Sequence, residues 1–155
     1  EGGALHLHRL RTQAADFEPL SVDRFISGAL QPAAWYTRAQ RFRRVYRDRV
    51  NALFRDWDVL IAPATPVPAQ PLGTEWIEIN GQRLPSRASM GLLTQPISCI
   101  GLPAVVAPVQ RPGGQSPIGV QIVAAPWRED HALRVAAALQ AAGVASAPVA
   151  AGALA

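Results

Sequence analysis

The chain has 155 residues, of which 49% are hydrophobic and 17% are charged, and its formal net charge is +4. This length and composition suit a globular domain with a buried core. No run approaches the roughly 18 apolar residues of a membrane span, and the first residues lack the basic flank and apolar stretch of a secretory signal. We therefore expect a cytoplasmic protein without membrane contact.

Two absences narrow the possible chemistry. All fifteen basic residues are arginines, so the sequence supplies no lysine to act as a base, a Schiff-base amine or a P-loop phosphate ligand. The only cysteine, Cys99, excludes an internal disulfide and a thiolate zinc cluster. The first residue is Glu1 and the only methionine is Met90, which indicates a fragment or a processed piece of a longer protein.

Two helices are predicted in the first half of the chain. Pro19 to Gly28 fits a short helix that ends at its glycine. From Pro32 to Phe54, apolar residues recur mostly at steps of three and four, which predicts a long amphipathic helix with a core-facing side. Its other side carries the arginines Arg38, Arg41, Arg44, Arg47 and Arg55, with Arg43 and Arg49 nearby.

The second half alternates short strands with turns. Apolar or alternating runs predict strands at Asp58–Ala62, Trp76–Ile79, Gln82–Leu84, Pro103–Val109 and Ile118–Ala124. The second and third flank Asn80-Gly81, which predicts a surface hairpin with a type I′ turn. The last two are expected to be central strands. A final helix is predicted to begin near Glu129 and to end at Gly143.

These elements predict an α/β fold. The apolar strands indicate part of a mixed β-sheet that is covered by helices on both faces. No linker long enough to separate two domains is present, so residues 1–155 are predicted to form a single partial domain. The alanine-rich residues 144–155 are expected to be a flexible tail.

Four segments carry a resemblance to a known family. Asp58–Pro66, Thr94–Ala104, Ile118–Ile122 and Pro126–Asp130 are similar, in order and spacing, to the C-terminal part of the amidase signature enzymes. Within that family, the hairpin at Trp76 and the segment after Pro126 resemble most the subunits that hydrolyse carboxylated biuret. The resemblance implies that the chain is the C-terminal segment of the family's α/β/α sandwich.

The same resemblance implies a serine hydrolase. Enzymes of this family activate a nucleophilic serine through a second serine and a lysine, and all three come from a glycine- and serine-rich part that this sequence lacks. No catalytic residue is therefore assigned, and the chain alone is expected to be inactive. The implied parent enzyme hydrolyses the carbon–nitrogen bond of a small amide through an acyl-enzyme, and it needs no cofactor.

The resemblance also places part of the substrate-pocket wall in this chain, on loops at strand ends. The candidate substrate-binding residues are Thr65, Gln95, Ile97, Ser98 and Cys99. The alternative is a structural role, in which the prolines and glycines of this loop fix turns and its small residues pack. No histidine or positive charge that would activate the Cys99 thiol is evident, so it is not assigned as a nucleophile.

No metal site is predicted. His6 and His8 lack an identifiable third ligand, and His131 lies outside any metalloprotease motif, so it is expected at the surface. Two further functional classes stay open beside the amidase. One is a non-catalytic scaffold that needs a partner to complete its sheet. The other is an arginine-rich nucleic-acid-binding module, although no recognised motif supports it.

The expected partners follow from the family resemblance. A small amide substrate would bind together with the missing N-terminal part. A second copy of the chain or a small subunit would complete the assembly. Nucleic acid is not an expected partner of an amidase segment.

Overall fold

The computed structural model describes residues 1–148. The chain divides into two compact units, Glu1–Val45 and Tyr46–Ala155. The boundary falls inside the long helix α4, Ala33–Leu53, which confirms the amphipathic helix predicted there. The boundary therefore contains helical residues and no loop that could serve as a linker.

The first unit is helical. Helices α1 (Gly2–Leu5) and α2 (Leu7–Thr12) precede a 3₁₀ turn at Ala14–Asp16, and α3 spans Pro19–Ala29. Helix α3 confirms the predicted short helix. Helices α1 and α2 were not predicted, because their apolar and charged residues follow no clean period.

Close packing of α1 against α3 depends on Gly3. A Cβ atom on Gly3 would lie 2.3 Å from the backbone nitrogen of Ala29 and 2.4 Å from the carbonyl oxygen of Phe25. An aromatic cluster joins α3 to the segments before it: the rings of His6 and Phe25 meet edge to face with centroids 5.3 Å apart, and Phe17 contacts both. Such edge-to-face contacts stabilise the unit beyond the area that they bury.

The described part of the second unit contains five strands, three further α-helices and a 3₁₀ turn at Pro112–Gly114. The strands are β1 (Val59–Pro63), β2 (Trp76–Ile79), β3 (Gln82–Pro85), β4 (Ala104–Val109) and β5 (Ile118–Ala124). The helices are α5 (Ser86–Ser89), α6 (Gln95–Ser98) and α7 (Glu129–Ala141). No helix within residues 1–148 is both long and apolar enough to cross a membrane.

Three strands form an antiparallel sheet in the order β1-β5-β4. Within residues 1–148 only β5 is central in this sheet, so the prediction of two central strands is wrong for β4 in this part of the chain. The continuous apolar run of β4 does not distinguish an edge strand from a central one. In the structure Val106 is 53% exposed and Ala107 is buried, which is compatible with an edge strand.

Helices cover both faces of the sheet. On one face, Ile122 and Ala124 of β5 pack with Ala132 of α7. On the other face, Val123 packs with Val50 of α4. This arrangement confirms the α/β fold, because β5 is buried from both sides as its continuous apolar run predicts.

The predicted hairpin is present in β2 and β3. Asn80 and Gly81 have φ angles of 51° and 73°, as a type I′ turn requires. Ile77 is buried on one side of the hairpin, and the exposed Trp76 ring lies under the guanidinium of Arg83 at 4.8 Å. The hairpin therefore has one packed side and one solvent-facing side.

The apolar side of α4 differs from its prediction. Val50 is the one buried residue of this helix, whereas Trp35 and Phe42 are 65% and 70% exposed in the described part of the chain. The expectation that this whole side faces a core is therefore wrong for residues 1–148. The helical periodicity is confirmed, but residues 1–148 do not supply a surface that covers these apolar side chains.

The chain continues in ordered contacts after α7. Gly143 has a φ angle of 70° after the end of the helix, and Val109 of β4 then forms a bridge with the buried Ala145. Ser146 N donates to Pro108 O at 3.1 Å. Residues 144–146 of the predicted flexible tail thus run beside β4, and residues 149–155 lie outside the described residues.

Candidate functional site

Thr65 lies two residues after the end of β1, in a segment that is hydrogen-bonded to β5. The backbone nitrogen of the buried Ala64 donates to Gly119 O at 2.7 Å. A Cβ atom on Gly119 would lie 3.1 Å from Ala64 Cβ and 3.0 Å from Val106 Cγ1. The missing side chain at position 119 therefore permits this close approach, and Thr65 follows in a half-buried position.

The other four candidate residues lie on and just after α6. Gln95, Ser98 and Cys99 are exposed, whereas Ile97 is half-buried. Ile97 packs against the core cluster that contains Val50 and Val123. The loop is thus anchored by its apolar residue and presents its three polar candidates at the surface.

Local contacts orient two of these side chains. A Cβ atom on Gly91 would lie 3.0 Å from Gln95 Nε2, so the Gln95 amide folds over the glycine. The thiol of Cys99 donates to Pro96 O at 3.2 Å, within its own helical turn. Gln95 is therefore held close to the backbone of the preceding loop, and the Cys99 thiol makes a local structural contact.

A residue that the sequence analysis did not select joins the two segments. The side-chain nitrogen of Gln121, on β5, donates to Pro63 O at 2.9 Å and to Leu93 O at 2.8 Å. One nitrogen serves both oxygens, so the segments that lead to Thr65 and to α6 lie within two hydrogen-bond lengths of each other there. In the sequence, this link is indicated by one polar side chain, the Gln121 amide, within the otherwise apolar run Ile118–Ala124.

The histidines make ordinary contacts. His6 belongs to the aromatic cluster of the first unit. His131, expected at the surface, is half-buried instead: its Nδ1 lies 3.6 Å from Asp58 Oδ1, and its Nε2 contacts the guanidinium of Arg128. Within residues 1–148, no three His, Cys, Asp or Glu side chains are grouped so that they could hold a metal ion.

A hydrogen-bonded ion pair lies at the start of α7. Arg128 Nε donates to Asp130 Oδ1 at 3.0 Å. This hydrogen bond holds the pKa of Asp130 below its ordinary value of 3.8, and the positive charge of Arg128 acts in the same direction. Asp130 lies in the first turn, where a negative charge also suits the helix dipole, so this pair stabilises the helix start.

A separate cleft of about 540 Å³ lies in the second unit, lined by α4, the segment after Ile100 and Trp127. It includes none of the five candidate residues. Asn51, on its wall, has a buried Oδ1 atom with no hydrogen-bond partner in the described chain. The candidate residues lie instead on two segments of the chain, which Gln121 joins through Pro63 O and Leu93 O.

The family of the chain follows from a comparison with family models. A model described as Amidase matches residues 9–133. The chain belongs to the amidase family. This confirms the resemblance on which the candidate site rests.

Two relatives within the family illustrate the range of similarity. The chain is 66% identical over 147 residues to the AtzE subunit of 1-carboxybiuret hydrolase from Pseudomonas sp. (strain ADP), a match that covers 94% of this chain and 32% of that protein. It is 32% identical over 108 residues to a fatty acid amide hydrolase of Medicago truncatula, a match that covers 70% of this chain and 18% of that protein. The chain therefore spans a third or less of these relatives.

Solved structures agree with these relatives. One, described as a vestigial protein complex that reveals the evolutionary origins of an s-triazine catabolic enzyme, matches with a TM-score of 0.91 and 63% identity, over 96% of this chain and 33% of that chain. A crystal structure of an amidase matches with a TM-score of 0.83 and 28% identity, over 90% of this chain and 32% of that chain.

Proposed function

We propose that this chain is the C-terminal third, roughly, of an amidase that hydrolyses a carbon–nitrogen bond in a small amide of the 1-carboxybiuret type. The identity of 66% to the AtzE subunit of 1-carboxybiuret hydrolase carries the proposal. Because the chain spans 32% of that protein, the nucleophilic serine, the second serine and the lysine are proposed to lie in the remainder of the enzyme.

The proposed contribution of this chain is one wall of the substrate pocket. The hydroxyl groups of Thr65 and Ser98 and the amide of Gln95 each donate and accept hydrogen bonds. A small amide also presents donors at nitrogen and an acceptor at its carbonyl oxygen, so the two sets are complementary. Ile97 anchors this wall to the core, and Cys99 is proposed as a wall residue.

The proposed reaction is a two-step acyl transfer. The serine oxygen bonds to the amide carbonyl carbon, the carbon–nitrogen bond breaks, and the leaving nitrogen takes a proton. Water then attacks the acyl-enzyme, which releases the acid and restores the serine hydroxyl. In this scheme the present chain holds the amide in place while groups outside it perform both steps.

The proposed assembly includes a second copy of the protein or a small subunit. Two observations support it: the AtzE relative is itself a subunit, and one solved structure that the chain resembles is described as a protein complex. The exposed apolar residues of α4 provide surface for such contacts.

The test replaces the matching segment of the AtzE protein with this chain. We expect the chimera to hydrolyse 1-carboxybiuret with a kcat/KM within about tenfold of the parent, because tenfold corresponds to only ~1.4 kcal/mol of transition-state stabilisation. The measurement is release of the nitrogen product under steady-state conditions.

The control chimera carries the matching segment of the fatty acid amide hydrolase. With 32% identity to this chain, that segment is expected to fold but not to support hydrolysis of 1-carboxybiuret. A chimera with the present chain that folds, assembles and yet has no activity would overturn the proposal. The non-catalytic scaffold would then be the better account.

A further inference from the structure

We infer that Gln121 is a positioning residue for substrate binding, because it fixes the two segments of the pocket wall to each other. The inference rests on the proposed function, since it assigns a role within that proposed pocket. It concerns a side chain that lies behind the wall, and Gln121 itself is not proposed to touch the substrate.

The location of Gln121 suits a residue that links two segments of the chain. It lies on the central strand β5, opposite Ala62 of β1 and Val106 of β4, and it is 2% exposed. Its neighbours Ile122 and Val123 are also buried and apolar. A buried amide costs free energy unless its hydrogen-bonding groups are satisfied, so this position requires specific partners.

Those partners are two backbone carbonyls from distant parts of the chain. The amide nitrogen carries two hydrogens, and it donates to Pro63 O and to Leu93 O. Both partners are acceptors only, so the nitrogen rather than the amide oxygen must face them. An apolar side chain of the same length would fill the space but would leave both carbonyls without this link.

Each bonded carbonyl lies two residues before a candidate substrate-binding residue. Pro63 precedes Thr65, and Leu93 precedes Gln95. The Gln121 side chain therefore links the segment that leads to Thr65 to the segment that leads to α6. Loss of this link leaves the fold of each segment intact and loosens the spacing between them, which weakens substrate binding before it affects the reacting groups.

The experiment introduces Gln121→Met into the active chimera described above. Methionine keeps the length of the side chain but removes both donors. We expect KM for 1-carboxybiuret to rise by about tenfold, because the two hydrogen bonds that hold the segments of the wall together are lost. We expect kcat to change less than threefold, since the nucleophile and its relay lie elsewhere.

The matched control is Ile122→Val, on the same strand but on the face that packs against α7. It removes one buried methyl group and lowers the unfolding temperature without touching Gln121 or the core cluster that holds Ile97, and its KM is expected to stay at the chimera's value. If Gln121→Met and Ile122→Val give the same KM, the inference is overturned while the proposed function stands. An inactive parent chimera would instead overturn the proposed function.

Discussion

At the scale of single residues, the close approach of α1 and α3 gives the most direct prediction. Gly3→Ala places a Cβ atom 2.3 Å and 2.4 Å from backbone atoms of α3, which side-chain rotation does not relieve. We expect a loss of about 1–3 kcal/mol in unfolding free energy, as for other overpacked sites. Urea denaturation followed by tryptophan fluorescence measures it.

Gly28→Ala is the matched control for this substitution. Its Cβ atom would lie 3.7 Å from the nearest atom of Gly3, an ordinary contact distance. Alanine is also a better helix former than glycine, so Gly28→Ala is expected to leave stability unchanged or to raise it slightly. Equal losses in both variants would show that α1 and α3 do not meet through Gly3.

The conformation of a single residue could be predicted from the sequence where it depends only on local backbone geometry. The turn at Asn80-Gly81 follows from the positive φ angles that these residue types tolerate. The hydrogen bonds of the Gln121 side chain were not predictable, because their acceptors are carbonyls 58 and 28 residues away. Backbone carbonyls carry no residue signature, so a sequence reveals the buried amide but not what it binds.

At the scale of secondary-structure elements, the difference between a central and an edge strand predicts unequal effects. Ile122 of β5 is 0% exposed, and its cross-strand partner Ile61 of β1 is 57% exposed. We expect Ile122→Ala to cost about 2–5 kcal/mol, as buried isoleucines do. Ile61→Ala removes the same atoms and is expected to cost well under half as much, and comparable losses would contradict the strand order.

The start of α7 gives a prediction about pH. The pKa of Asp130 is lowered in the folded chain, so its contribution to stability is present above the ordinary value of 3.8 and is lost as pH falls through the folded pKa. Arg128→Gln removes the main cause and should raise the pKa of Asp130 toward that value. Carboxyl carbon NMR titration checks this, and an unchanged pKa would show that the hydrogen bond is absent.

Strand and helix positions were mostly predictable, but their environments were not. The periodicity of α4 and the apolar run of β4 gave the correct element types. The exposure of Phe42 on α4 and of Val106 on β4 depends on which surfaces meet in three dimensions. The pattern of apolar residues predicts which side of a helix or strand is suited to burial. Whether other residues of the chain cover that side depends on the three-dimensional fold.

At the scale of the whole molecule, the exposed apolar side chains predict how the isolated chain behaves. Leu5, Leu30, Trp35 and Phe42 are each at least 65% exposed in the described residues. We expect the isolated chain to bind an apolar dye strongly, and to lose this binding when it is built into the chimera. Weak dye binding by the isolated, folded chain would show that these faces are covered within the chain itself.

The outer side of β1 has a consequence for handling this protein. Within residues 1–148, β1 pairs only with β5, so its other edge has no strand partner there and could accept another extended chain. Pro63 and Pro66 lack an N–H group, and Asp58 places a charge at the other end, which limits any added strand to a few residues. The isolated chain is therefore expected to aggregate slowly through β1, and Pro63→Thr should speed fibril growth by restoring a donor to that edge.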